Sequence, residues 1–449
     1  MIPTDDLIAA PATPPGRGAV AMVRVSGSGL DALVLPLTGR QNLTPRHAHY
    51  VPFLDDSGEV IDRGLSLYFQ GPGSYTGEDM LELYCHGSPV IVEMLLQRLF
   101  QLGARPARPG EFTQRAFLNG RLDLAQAEAV ASLIDSTSGQ AARAAQRSLE
   151  GTFSQNIHAL VTSLTAIRVQ VEAAIDFSDE DIDLIDQQEI SATLQAVVGE
   201  LGRLRSRAEQ GRLLEEGMTV VIAGPPNAGK SSLLNAMAER ETAIVTDIAG
   251  TTRDVLRERI QIDGMPLHVI DTAGLREGGD VIEREGMRRA KEAMNSADRI
   301  LLVVDSCRPM EAWATVAELP ENIPVTKVYN KVDLSGETSR VETGETGAVV
   351  YLSAKTGQGL ELLRTHLKHC MGFEAEAEDV ISARRRHLEA LDQTLQFLRS
   401  AADELVRGNA FELAAENLRL AQRVLGEITG EVTSDDLLGQ IFAEFCIGK

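Results

Sequence analysis

The sequence predicts a multidomain chain of α/β and α parts: an α+β N-terminal domain, then a helical domain interrupted by an inserted α/β nucleotide-binding domain. Three observations predict it. Residues 1–121 are rich in Gly and Pro and carry short β-like apolar runs. Apolar residues at helical spacing occupy 122–215 and return at 376–449. Between those blocks, at 216–375, strand-like runs end in phosphate- and base-binding motifs.

In the first block, Ala19–Val25 and Gly64–Phe69 read as strands and Val90–Gln101 as an amphipathic helix. Leu160, Leu164, Ile167, Val171 and Ala174 mark one helical face, and the acidic stretch Asp179–Asp183 reads as a loop or helix end. Leu388, Leu391, Leu395 and Leu398 mark another helix near the C-terminus. Two helical blocks around an α/β segment are most simply one helical domain split by an insertion. A chain of 449 residues is too long for one hydrophobic core, which agrees with several domains.

Bulk composition narrows the function. A net charge of −22 argues against a broad nucleic-acid-binding surface, because phosphate contacts need clustered Lys and Arg. The acidity is uneven: residues 1–121 hold 10 arginines, no lysine and 12 acids, a balance of −2, so the remainder carries −20. An RNA partner would be met by a local patch or with help from another protein. No apolar run reaches about 18 residues, and the start of the chain lacks a basic signal region, so a cytoplasmic location and no membrane are expected. The four cysteines, Cys85, Cys307, Cys370 and Cys446, form no C-x-x-C pair and read as reduced, mostly buried thiols.

The central segment carries the chemistry. Met218–Ala223 runs into Gly224-Pro225-Pro226-Asn227-Ala228-Gly229-Lys230-Ser231, with Ser232-Leu233-Leu234-Asn235 following: G-x-x-x-x-G-K-S between a strand and a helix. Glycine lets backbone N–H groups converge on a β-phosphate. Lys230 then reaches the β/γ-phosphates, and Ser231 is a Mg²⁺ ligand. Val269-Ile270-Asp271-Thr272-Ala273-Gly274 ends in D-x-x-G, placing Asp271 near Mg²⁺ and the Gly274 N–H at the γ-phosphate. Asn330-Lys331-Val332-Asp333 is N-K-x-D; the Asp333 carboxylate can accept from guanine N1–H and N2–H₂, which adenine does not offer. Ser353-Ala354-Lys355 supplies backbone N–H to guanine O6. Only seven lysines occur in the chain, and Lys230, Lys331 and Lys355 all fall in these motifs. Thr246-Asp247-Ile248-Ala249-Gly250-Thr251-Thr252-Arg253-Asp254 occupies the first switch position, with Thr252 the residue to complete the Mg²⁺ shell. Motifs in this order read as a Ras-like G domain binding GTP.

Gly250-Thr251-Thr252-Arg253-Asp254, Asp271-Thr272-Ala273-Gly274-Leu275-Arg276 and the terminal Cys446-Ile447-Gly448-Lys449 resemble the bacterial tRNA-modification GTPases of the MnmE (TrmE) family, in the TrmE-Era-EngA-YihA-Septin-like superfamily. So do Ala12-Thr13-Pro14-Pro15-Gly16-Arg17-Gly18, Tyr75-Thr76-Gly77-Glu78-Asp79 and Arg108-Pro109-Gly110-Glu111-Phe112-Thr113. The resemblance spans the chain in order.

Leu275 stands where many GTPases carry a water-orienting glutamine, so another group must do that work. By sequence alone Glu283 reads as a solvated acid at a helix start; the resemblance assigns it water activation. The resemblance also implies K⁺ in place of an arginine finger, held by Asn227, Thr246, Ile248 and Thr251, and G domains that pair face to face. Arg253, Asp254 and Arg276 fit that pairing, or equally a solvated surface.

For the N-terminal domain the resemblance implies a folate-binding, dimerising fold with Arg24, Glu82, Arg121 and Lys449 around 5,10-methylene- or 5-formyl-tetrahydrofolate. Two positions depart from the family: Arg121 stands where Lys is common, and Ser88 where Gly is usual after His86-Gly87. Cys446 reads as structural or positional, and Arg384-Arg385-Arg386-His387 as an RNA contact or a solvated face. The resemblance further implies a homodimer that works with the flavoprotein MnmG, in a heterotetramer or larger complex, to add an aminomethyl or carboxymethylaminomethyl group at carbon 5 of the tRNA wobble uridine. A GTPase switch in ribosome assembly shares every G motif and is the competing expectation.

Overall fold

The computed structural model describes residues 6–176, 187–238, 257–262, 265–271, 288, 291–312, 319–320, 322–344, 347–371, 380–407, 411–431, 435–443, 445–446 and 448. It divides into two compact units. One comprises Met1–Ala131, Arg147–Gly202 and Glu389–Lys449, the other Ser132–Gln146 and Arg203–Leu388.

The first unit opens with β1 (Ile8–Pro11), β2 (Val20–Ser26), α1 (Asp31–Thr38), β3 (His49–Leu54), β4 (Val60–Phe69), β5 (Met80–His86), α2 (Pro89–Gln101), β6 (Arg105–Pro106) and α3 (Glu111–Leu118). The sheet runs β3-β4-β5-β2-β1-β6. Neighbours are antiparallel except β1 with β6. Alternation decides its two faces. Val23, Val25, Val51, Phe53, Leu81 and Leu83 are buried with Leu95 and Leu99 of α2, whereas Val20, Arg24, Tyr50, Leu65, Glu82 and Tyr84 share the other side. Pro89 at the first turn of α2 costs no helical hydrogen bond, so the helix starts there.

Helices follow: α4 (Leu124–Asp135), α5 (Gly139–Leu149), α6 (Thr152–Asp176) and α7 (Gln187–Glu216). A capping box starts α4: Asp123 Oδ1 accepts from the Gln126 N–H at 2.8 Å, and Gln126 Oε1 accepts from the Asp123 N–H at 3.0 Å.

In the second unit the chain enters β7 (Met218–Ala223) and α8 (Lys230–Ala238), then β8 (Arg257–Ile262), β9 (Met265–Asp271), β10 (Arg299–Asp305), β11 (Val325–Asn330), α9 (Val332–Ser335), β12 (Arg340–Gly344), β13 (Gly347–Tyr351) and α10 (Leu360–Cys370). The order is β12-β13-β11-β10-β7-β9-β8. The five central strands are parallel, with an antiparallel strand at each edge. Central strands buried on both faces read as continuous apolar runs, as in Val220-Val221-Ile222 and Ile300–Val304. Ala144, Leu213 and Leu214 join this core beside Met218 and Val220, so the α5 segment belongs to the sheet unit.

The chain closes with α11 (Arg385–Arg407), α12 (Phe411–Thr429) and α13 (Asp435–Ala443). In the first unit α12 packs along α6, pinned by Arg168 Nη1 donating to Gln422 Oε1 (2.7 Å) and Gln422 Nε2 to Thr165 Oγ1 (2.9 Å). Phe442 and Phe445 pack with Leu124 and Ala127 of α4.

Candidate nucleotide-binding site and N-terminal site

In a parallel α/β sheet, ligands gather at the carboxyl ends of the strands. Here β7 ends at Ala223 before the phosphate loop, β9 at Asp271, β10 at Asp305, β11 at Asn330, and β13 just before Ser353-Ala354-Lys355. One sheet edge thus collects every described nucleotide motif.

The loop between β7 and α8 is built for anions. Asn227 (φ 62°) and Gly229 (φ 97°) both take left-handed backbone, which turns successive amides inward. A Cβ at Gly229 would meet Asn330 Nδ2 at 2.2 Å, so no side chain fits where the loop must close. Lys230 is buried, and its Nζ donates to the Gly224 and Pro225 carbonyls at 3.0 and 2.9 Å, which sets the ammonium inside the loop. Ser231 and Ser232 are exposed at the start of α8, where the helix dipole favours negative charge.

Asn330 fastens three motifs together. Its Nδ2 donates to the Ala228 carbonyl at 2.9 Å, and its Oδ1 accepts from the Ala354 N–H at 2.9 Å. Lys331 (φ 69°) donates from Nζ to the Asn227 carbonyl at 2.7 Å and to Asp305 Oδ2 at 2.6 Å. Burial would raise the Asp305 carboxyl, yet the hydrogen bond and charge of Lys331 hold it below the usual carboxylate range. Asp333 is exposed in α9, and Val332 is buried beneath it. The Ser353 hydroxyl accepts from the Thr356 N–H at 3.2 Å and shapes the turn that carries Lys355.

Sequence reading finds the motifs but misses two parts of this clamp. Asp305, at the end of an apolar strand, carries only that position as a signal. The bridging role of the Asn330 amide has no signal beyond the motif itself. The donor set suits a nucleotide: a cradle without side chains, an ammonium in it, and a carboxylate at the base-binding loop. Thr246, Asp247, Ile248, Ala249, Gly250, Thr251, Thr252, Arg253, Asp254, Thr272, Ala273, Gly274, Leu275, Arg276 and Glu283 lie outside the described residues, as does the acidic stretch Asp179–Asp183. For Asp271 only its place at the end of β9 is described.

In the N-terminal sheet, register sets Arg24 on β2 directly across from Glu82 on β5. Arg24 donates from Nη2 and Nε to Glu82 Oε1 at 3.0 and 3.2 Å, and Tyr84 Oη donates to Glu82 Oε2 at 2.9 Å. The Arg24 guanidinium also lies 5.4 Å from the Tyr75 ring centre and 5.8 Å from that of Phe112. Arg121 packs on Gly77, where a Cβ would meet its Cγ at 3.2 Å, and lines a cleft of about 370 Å³ with Asp123, His158 and Glu431. Lys449 lies outside the described residues, but its neighbour Gly448 sits against β1: a Cβ there would meet the Pro11 carbonyl at 2.0 Å. Cys446 is exposed, and its carbonyl accepts from the Gly110 N–H at 3.4 Å, so the tail backbone is held at Gly110. The expectation of mostly buried thiols does not hold: Cys85 is buried within its sheet, Cys370 is half-buried, and Cys307 and Cys446 lie at chain positions outside any packed strand or helix and are exposed.

Comparison with known proteins decides the family. A model described as "GTP-binding protein TrmE N-terminus" matches residues 7–121, and one described as "MnmE helical domain" matches 124–446. The chain belongs to the MnmE (TrmE) family of tRNA modification GTPases. It is 58% identical to the tRNA modification GTPase MnmE of Stutzerimonas stutzeri over 456 residues, covering 100% of each. It is 58% identical to that of Pseudomonas paraeruginosa and 55% to that of Pectobacterium carotovorum subsp. carotovorum, covering 99% of each chain in both cases. The MnmE family resemblance seen in the sequence therefore holds across the full chain, and so does the multidomain α/β and α architecture.

Proposed function

We propose that this chain is a GTP hydrolase acting in tRNA modification, and that the modified base is the wobble uridine. Its near-complete alignment at 58% identity with a tRNA modification GTPase carries the reading. The interlocked motifs at one sheet edge supply its chemical basis.

In this reading the phosphate loop, residues 224–231, holds the β-phosphate with inward amides, and Lys230 offsets charge that grows on the β/γ oxygens. Asp333 selects guanine, with Asn330, Lys331 and Ser353–Lys355 closing around the base. Ser231 and Thr252 would hold Mg²⁺, and Asn227, Thr246, Ile248 and Thr251 would hold K⁺; these cations supply fixed positive charge beside the phosphates. Leu275 has no polar group with which to orient water, so Glu283 takes that part.

The second site is read as a folate pocket built on Arg24, Glu82, Arg121 and Lys449, binding a one-carbon tetrahydrofolate. The Arg24–Glu82 pair supports it, since a near-buried carboxylate can receive pterin N–H groups while cations suit a glutamate tail. Val20, Tyr50 and Leu65, at 60%, 63% and 43% exposure, lie on the same sheet face and favour coverage by a second copy. The proposed organisation is a homodimer of chains with domains at 1–121, 122–215, 216–375 and 376–449, partnered by the flavoprotein MnmG. No described helix is long and apolar enough to cross a membrane.

The test is reconstitution with MnmG, tRNA, GTP, ¹³C-labelled methylene-tetrahydrofolate and ammonium or glycine as nitrogen donor, followed by nucleoside mass spectrometry. Label in the carbon newly attached to C5 of the wobble uridine is expected. GTP turnover without modified uridine would favour the switch reading.

A further inference from the structure

Residues 7–54 contain a single acid, Asp31, in a chain of net charge −22. The part of this stretch that joins α1 to the edge strand β3 is exposed nearly throughout: Arg40, Gln41, Asn42, Thr44, Arg46 and His47 all face solvent. Leu43 alone turns inward, as an apolar anchor. Two arginines, two histidines and two amides thus stand on one acid-free loop and its exit.

The loop is also held in shape. Among the described residues, three that are not glycine have positive φ: Asn227 and Lys331 in the nucleotide clamp, and Arg46 at 60°. A left-handed non-glycine residue is strained and persists only where its surroundings fix it, most often at working sites. The surroundings of Arg46 do fix it. Its N–H donates to the Tyr68 carbonyl at 2.8 Å, its Nη2 donates to the Gly73 carbonyl, and its guanidinium lies 5.7 Å from the centre of the Phe69 ring. His49 Nε2 accepts from the Thr44 N–H at 2.9 Å, and Arg40 Nη1 lies 3.4 Å from His49 Nδ1. Neither arginine has a carboxylate among these partners. The side-chain partners of the two arginines are a carbonyl, a ring and an imidazole, so the hydrogen-bonding groups of both guanidinium ions are not spent on carboxylates.

We infer that the loop of residues 39–48 is a docking surface for the sugar–phosphate backbone of RNA, with Arg40 and Arg46 on phosphates and Gln41, Asn42 and His47 within reach of phosphate or 2′-hydroxyl oxygens. The inference rests on the reading that the chain acts on tRNA and names the surface that meets it. A preorganised loop loses little entropy on docking. Contacts of this kind position the RNA and carry no base preference.

The test uses the full chain and unmodified tRNA, with dissociation constants measured across a salt series for wild type, Arg40→Glu and Arg40→Gln/His47→Gln. Arg40 and His47 are chosen because neither side chain is among the contacts that hold Arg46 in its left-handed conformation, and circular dichroism checks folding. The expected result is weaker binding in both variants, with the slope of log affinity against log salt shallower by about 0.7 for each phosphate that the variant no longer neutralises. Wild-type binding with an unchanged slope in both folded variants overturns the surface. Absence of tRNA binding by wild type, with MnmG present or absent, instead overturns the functional reading beneath it. If tRNA binding is unchanged and association with MnmG disappears, the loop is a protein-binding surface and the proposal falls.

Discussion

The Asn330 amide occupies the space a side chain at Gly229 would need: a Cβ at position 229 falls 2.2 Å from Asn330 Nδ2. The phosphate loop and the guanine motif are therefore packed as one piece, and a methyl group between them must displace one or the other. Gly229→Ala also forces alanine into left-handed backbone at φ 97°. Strain of about 1–3 kcal/mol corresponds to about five- to 150-fold in affinity. Fluorescent-GDP titration should show that loss, and wild-type affinity in the variant would refute the packing argument.

Asp333 sits exposed at the open side of the same clamp, free to meet a base edge. Asp333→Asn replaces an acceptor-only group with one that also donates. Guanine N1–H and N2–H₂ then lose charged acceptors at about 1.5–3 kcal/mol each, whereas xanthine, with a carbonyl at that edge, gains a donor. Competition binding should show GTP weakened at least about tenfold and xanthosine triphosphate preferred. Unchanged GTP preference would mean that the base is read elsewhere.

Local chemistry was legible in the sequence; long-range partnership was not. The apolar run before G-x-x-x-x-G-K-S predicts β7 and α8, and the helix read at Val90–Gln101 is α2, begun one residue earlier by Pro89. Strand patterning gives no sign that Arg24 and Glu82 pair, because 58 residues separate them and only the β2–β5 register makes them neighbours. The grouping of Ser132–Gln146 with the sheet unit follows from Ala144 packing beside Leu213 and Leu214, small-residue packing that helical spacing does not distinguish. Likewise Asp305 gains its role from Lys331, which arrives just after the next strand, β11.

The roles proposed for Glu283 and for K⁺ make a kinetic prediction that needs no geometry. If Leu275 leaves water unoriented, GTP turnover should depend on both the acid and the cation. Glu283→Ala should slow hydrolysis by about 10²–10⁴-fold with nucleotide affinity kept, and replacing K⁺ by Na⁺ should slow wild type. Rates should be read by phosphate release at saturating GTP. Equal turnover in both salts would remove K⁺ from the mechanism, and an unimpaired variant would remove Glu283.

Glu215, half-buried near the end of α7, gives a pH prediction with a fixed sign. Burial pushes its carboxyl above the ordinary value, and this outweighs the hydrogen bonds from Ser132 and Ser382 and the charge of Arg384; neighbouring Glu216 adds to the rise. The folded protein therefore holds this proton more tightly than the unfolded chain. The resulting stability is fully present below the unfolded carboxyl value and is lost as pH rises through the folded one. Near neutrality an ionised Glu215 is the costly state. Glu215→Gln keeps the shape and removes the ionisation, and both serine hydroxyls can turn to accept from the new amide. Thermal melts from acid to neutral pH should show the variant gaining on wild type as pH rises. A melting difference that stays constant over that range would mean that Glu215 titrates alike in the folded and unfolded chain.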